Sequence, residues 1–145
     1  MTETSSPKPP PRDPARAKAA REFAIEAARS LHDDKCEHVL VLDLQGRSQV
    51  TDFFVVATGS SDRQLRSAGE HVADLGEQRE FTLFRSNLRE SSQTWVLLDF
   101  VDVVVHVFSP EARAYYDLEL LWGDAERVTW SRPASGPAQA KPNGN

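Results

Sequence analysis

Three residues able to carry chemistry, Asp99, Asp102 and His106, stand among the valines and leucines of WVLLDFVDVVVHVF, Trp95 to Phe108. Two aspartates three positions apart could chelate a cation across a hairpin, although aspartates flanking a turn also serve simply to form it. A histidine in such a run could belong to an active site, to a core hydrogen bond or to a contact surface. HDDKCEH presents a second group, His32, Cys36 and His38, which superficially resembles a metal cluster. Their spacing matches no closed zinc pattern, and the stretch reads as a polar connector. GSSDRQ, Gly59 to Gln64, is a turn from a strand into a helix whose N–H groups could hold an anion. It lacks the glycines of a phosphate loop, and Ser61 or Asp62 is suited to cap the helix instead. A nucleotidyltransferase would need a Gly-Ser turn followed about ten residues later by Asp-x-Asp, two carboxylates holding magnesium against a triphosphate. Gly59 and Ser60 supply the first half, but no Asp-x-Asp follows. Asp117 and Glu119 fall in a predicted helix, where positions i and i+2 do not share a face. The residues argue against catalysis, and they imply no metal and no cofactor.

The elements that must position these groups follow from periodicity. An alanine-rich stretch without glycine predicts a helix from about Pro14 to Leu31, with Phe23, Ala27 and Leu31 inward. HVLVLDL and TDFFVVATG predict strands, separated by a polar stretch containing Gly46. A second helix is predicted from about Asp62 to Arg79, with Leu65, Ala68, Val72 and Leu75 on one face. FTLF reads as a short strand, RSNLRESSQ as a loop, and TWVLLDF with VDVVVHVF as a strand pair. Ser109 and Pro110 suit the N-cap and first position of a final helix, SPEARAYYDLELLW. In that helix Tyr115, Leu118 and Trp122 are spaced to share one face, and Ala112 and Tyr116 another. The order predicts an α/β fold: a mixed sheet of about five strands with flanking helices.

Taking Phe100 and Val101 as a two-residue turn sets Asp99 opposite Asp102, Leu97 opposite Val104 and Trp95 opposite His106. Side-chain alternation then puts Val96, Leu98, Val103, Val105 and Val107 on one wholly aliphatic face, which should be core. The other face carries Trp95, Leu97, Asp99, Asp102, Val104, His106 and Phe108. Aromatics rimmed with carboxylates suit a protein-binding surface. Tyr116 is placed next to this patch. The competing reading has a second helix layer covering the face, with His106 hydrogen-bonded inside.

The 145 residues are enough for one domain with a substantial core. Met1–Arg21 carries a net +3 and the residues after Trp130 a net +2, so of the overall −5 the segment Glu22–Trp130 carries −10. That charge repels a phosphate backbone and attracts a basic protein, which disfavours direct DNA binding. Eight of the nine prolines lie in TETSSPKPPPRDP and SRPASGPAQAKPNGN. Residues 1–13 and 131–145 are therefore expected to be disordered tails around a domain at 14–130. No apolar run is long enough to span a membrane, no secretory signal is evident, and the single cysteine cannot form an internal disulfide. Together these predict a cytoplasmic protein with no membrane partner.

TDFFVVATGSSDRQ, WVLLDFVDVVVHVF and RAYYDLELLWGDA resemble, in order and separation, the successive signatures of the ribosomal silencing factor family, also called Iojap. The resemblance implies an α/β sandwich with nucleotidyltransferase-like topology but without the catalysis. It also implies binding to the large ribosomal subunit through its fourteenth ribosomal protein, which blocks subunit joining when nutrients are scarce and so represses translation. The acidic middle of the chain suits such a basic target. An exposed hairpin face could also pair with a second copy when no ribosome is present. Two positions depart from the family pattern. Val101 stands where members usually have Gly, costing roughly 1–2 kcal/mol if the turn needs positive φ. FRSNLRESSQ also lacks the family's usual Glu-Gly pair.

Overall fold

In the computed structural model, which describes residues 13–90, 94–117 and 122–133, three helices and six strands follow one another. They are α1 (Pro14–Asp33), β1 (Glu37–Asp43), β2 (Phe53–Thr58), α2 (Asp62–Gln78), β3 (Arg85–Ser86), β4 (Trp95–Asp99), β5 (Val103–Phe108), α3 (Pro110–Tyr116) and β6 (Glu126–Arg127). The strands form one mixed sheet in the order β3-β4-β5-β2-β1-β6. Its single parallel pair is β2 with β5, and the connection between them carries α2 across the sheet.

All three helices start on side chains suited to the task. Asp13, Ser61 and Ser109 accept from Ala15, Gln64 and Ala112 N–H at 3.2, 3.1 and 3.1 Å, and Pro14 and Pro110 occupy first helical positions where no N–H is needed. α1 and α2 lie together on one face of the sheet. Phe23, Ala27 and Leu31 from α1 and Leu65, Ala68 and Val72 from α2 are buried against Val96, Leu98, Val103, Val105 and Val107. The aliphatic face is the core, as the alternation predicts, and each large side chain there contributes roughly 1.5–3 kcal/mol of burial. Close approach of α2 requires small residues: a Cβ on Gly76 would stand 2.5 Å from Cε1 of Phe100.

The sheet differs from expectation at both edges. FTLF does not form the predicted strand; pairing starts at Arg85, opposite Asp99, inside the predicted loop. Asn87 then continues the edge with its side chain, donating to Trp95 O at 2.6 Å and accepting from Leu97 N–H at 2.9 Å. At the opposite edge β6 pairs with β1. Beyond it the chain passes to the helix side, where the Trp130 indole donates to Val39 O at 3.0 Å and Arg29 holds Trp130 O at 2.7 Å. Arg132 forms a two-pronged contact with Asp33 at 3.0 and 2.8 Å. Contacts thus run from Asp13 to Arg132, while 1–12 and 134–145, most of the two expected tails, lie outside the described residues.

The final helix is shorter than predicted. It stops at Tyr116, where Asp117 takes φ +22°, and Leu118 and Glu119 lie outside the described residues. Among the described residues no helix is long and apolar enough to cross a membrane.

Candidate functional site: the aromatic face of the sheet

The face opposite α1 and α2 carries Phe54 of β2, Trp95 and Leu97 of β4, and Val104, His106 and Phe108 of β5. Over it lie only α3 and the segment from Trp122, among the described residues. Although His106 is buried and hydrogen-bonded as the competing reading expects, among the described residues no helix of α1 or α2 length covers this face. Its rings form a continuous row. Tyr116 packs on Trp95 at 4.9 Å between centroids, Trp95 on Phe108 and His106 at 5.4 and 5.9 Å, His106 on Phe54 at 4.7 Å, and Phe54 on Trp122 at 6.2 Å. Tyr116 is 45% exposed and its neighbour Tyr115 is 81% exposed. Tyr116 therefore borders the patch, as expected, and Tyr115 points to solvent.

The hairpin register differs from the predicted one. Leu97 pairs with His106, Trp95 with Phe108 and Asp99 with Val104, because the turn is centred on Val101 and Asp102. The shift is two residues, so every strand side chain keeps its predicted face. Only the turn residues are misassigned. Asp102 does not join the aromatic face: its carboxylate accepts from Arg16 Nε of α1 at 2.7 Å, on the helix side, and its side chain is 4% exposed. Asp99 is buried at the end of the face. One of its oxygens caps the turn through Val101 N–H at 2.8 Å, and the other accepts from Arg85 at 3.1 and 3.3 Å. The two carboxylates serve the turn and its anchoring and do not form a cation-binding pair.

Of the remaining predicted contact residues, Trp95 and Leu97 are half-buried, while Val104, His106 and Phe108 lie beneath the surface. His106 is the polar group of this layer. Its Nδ1 accepts from the Trp95 indole N–H at 3.1 Å, and its Nε2 is buried without a hydrogen-bond partner. Burial pushes its pKa down to about 4, against a smaller opposing influence from Asp99. The ring is neutral at pH 7, and because the indole can only donate, the proton belongs on Nε2.

The alternative sites are accounted for by structure. At the Gly59 turn, both the N–H and the hydroxyl of Ser60 donate to Gln64 Oε1, at 2.6 and 3.0 Å. A side chain of the following helix thus occupies donors that an anion would use, and nothing in the residue types of this turn announced it. A Cβ on Gly59 would stand 2.8 Å from Leu65 Cδ2, so a larger residue there would oblige the buried Leu65 side chain to shift. In the connector, Cys36 is buried and its thiol is pushed up to about 11 by desolvation. His32 packs on Trp130 at 5.4 Å between centroids with the rings tilted by 52°, and His38 offers its carbonyl to Arg113 at 2.8 Å. Among the described residues no group of three His, Cys, Asp or Glu could hold a metal ion.

Fold and face together define an α/β domain, with α1 and α2 on one side of the sheet and an aromatic surface bordered by α3 on the other. The sequence model of the family described as "Ribosomal silencing factor during starvation" matches residues 17–144, and the chain belongs to that family. It is 38% identical over 102 residues to the "Ribosomal silencing factor RsfS" of Halalkalibacterium halodurans, covering 70% of this chain and 86% of that one. It is 35% identical over 106 residues to "Protein Iojap, chloroplastic" of Arabidopsis thaliana, covering 73% of this chain and 44% of that one. A crystal structure of a protein from Chromobacterium violaceum superposes with a TM-score of 0.65 at 34% identity, covering 83% of this chain and 97% of that one. These relatives are named for silencing or as Iojap, none for a catalysed reaction.

Proposed function

We propose that this chain docks on the large ribosomal subunit through its fourteenth ribosomal protein, and represses translation under nutrient limitation by blocking association of the subunits. It acts by occlusion and has no catalytic role. The observation that supports this reading most is the Trp95–Tyr116 surface, half-buried at Trp95 and exposed at Tyr116, on the side of the sheet away from α1 and α2, in a chain whose relatives are named as ribosomal silencing factors. Trp95, Leu97 and Tyr116 make the contact. Val104, His106 and Phe108 support it from below, and Asp99 with Arg85 borders it. Asp102 acts at one remove, by holding the hairpin tip to α1.

The −10 charge of Glu22–Trp130 speeds the approach of a basic protein and disfavours direct DNA binding. The protein works in the cytoplasm, without a membrane partner or a cofactor, and when free it pairs through the same face with a second copy. Sedimentation of purified small and large subunits with and without the protein tests the reading. Loss of the joined ribosome peak, with the protein comigrating with the large subunit, is the expected result. Unchanged joining at saturating protein refutes it.

A further inference from the structure

His106 poses a question that packing alone does not answer. It sits on a strand otherwise built of Val103, Val104, Val105, Val107 and Phe108, buried among Trp95, Phe54 and Phe108. Its Nε2 has no partner, and a buried donor without an acceptor is destabilising. A phenylalanine would fill the same layer of rings without that cost. What phenylalanine lacks is a ring acceptor. Nδ1 supplies one to the indole N–H of Trp95 at 3.1 Å, diagonally across the strand pair, since the direct partner of His106 is Leu97.

We infer that His106 is a positioning residue: its Nδ1 fixes the rotation of the Trp95 indole, so that the surface offered to the partner is set before docking. Tyr116, at 4.9 Å and tilted 39°, and Phe108, at 5.4 Å and 27°, pack on the indole but make no hydrogen bond to its N–H. They hold the ring's position without selecting which edge points outward. The hydrogen bond is directional and does select it. A contact ring locked in advance loses less freedom on binding, which improves affinity without adding a contact. This inference rests on the docking reading above for its consequence, and on the Trp95–His106 bond for its structural content.

The test uses the full chain with three substitutions, His106→Phe, His106→Asn and Trp95→Phe, and the purified fourteenth ribosomal protein as probe. His106→Phe keeps the ring layer but removes the acceptor, and is expected to weaken binding about five- to tenfold while the melting temperature holds or rises by a few degrees. His106→Asn retains an amide oxygen near the Nδ1 position and is expected to recover part of the affinity. In the Trp95→Phe background, which has no indole N–H, His106→Phe should cost nothing further. Equal losses from His106→Phe with and without the indole would overturn the inference. The indole N–H resonance of Trp95 in a proton–nitrogen spectrum reads the structural part independently of any partner. It should be protected from exchange in the parent and lose that protection in His106→Phe; an unchanged resonance refutes the positioning role even if docking is real. If that resonance responds but Trp95→Ala binds as tightly as the parent, the docking reading fails instead. Should His106→Phe not fold, His106→Leu, which also lacks an acceptor, takes its place in the same cycle with Trp95→Phe.

Discussion

Asp99 accepts the backbone N–H of Val101 at 2.8 Å, two residues along its own turn, and holds that valine at φ +75°. Asp102 N–H donates back to Phe100 O at 2.9 Å, closing a three-residue turn around Val101. A β-branched residue in this region is strained by roughly 1–2 kcal/mol, and Val101 is 44% exposed, so little burial offsets the strain.

Val101→Gly is therefore expected to stabilise the domain. The relief is partly cancelled by the greater chain entropy of glycine in the unfolded state, leaving about 0.5–1 kcal/mol, or a few degrees in melting temperature. Thermal unfolding followed by circular dichroism measures it. A lower melting temperature would mean that the turn does not carry this strain.

Trp95→Ala and Val105→Ala should separate binding from folding. Trp95 is half-buried on the aromatic face, so its truncation is expected to weaken docking about 30-fold or more, roughly 2 kcal/mol, with the fold retained. Val105 is fully buried against the helices, and losing two methyl groups there should cost on the order of 2 kcal/mol of stability while the folded protein binds normally. Denaturant titration paired with a binding isotherm on each variant checks this. An unfolded Trp95→Ala protein, or one with full affinity, would move the docking surface elsewhere.

Gly76→Ala should destabilise, although alanine is the better helix former by about 1 kcal/mol. The added methyl would stand 2.5 Å from the Phe100 ring, which itself packs edge-on against Phe23 at 4.9 Å and has little room to yield. A net loss of about 1–2 kcal/mol is expected from urea unfolding. Alanine tolerated without loss would show that α2 can lift from the hairpin freely.

Acid sensitivity should carry a signature of His106. The unfolded chain takes a proton on this ring near pH 6.5, while the folded protein takes it only near pH 4. Between those values the unfolded state binds more protons, so the contribution is fully present above about pH 6.5 and falls away as pH drops toward 4. The total is on the order of 3 kcal/mol. Stability measured across this window should fall less steeply for His106→Phe than for the parent. Parallel curves would show that the ring protonates without opening its layer.

The elements and their faces were legible in the sequence because both depend on local chemistry. Hydroxyl or carboxylate caps followed by proline start α1 and α3, and strict alternation in WVLLDF and VVVHVF assigns each side chain to a side of the sheet whatever the pairing. A two-residue error in the hairpin register therefore left every strand side chain of the aromatic face in place, whereas helical spacing grouped Tyr116 with Ala112 without deciding which set met the patch. Tertiary structure decided whatever depends on residues distant along the chain. Arg16 draws Asp102 to the helix side from 86 positions away, and the Asn87 side chain completes the edge of β4 across a stretch with no strand pattern. Gln64 occupies the Gly59 turn, and the passage from β6 to Trp130 joins the sheet to α1. None of these follows from a residue's neighbours in sequence, because each polar group takes the partner that the packed backbone brings within about 3 Å, and that choice exists only once the sheet has formed.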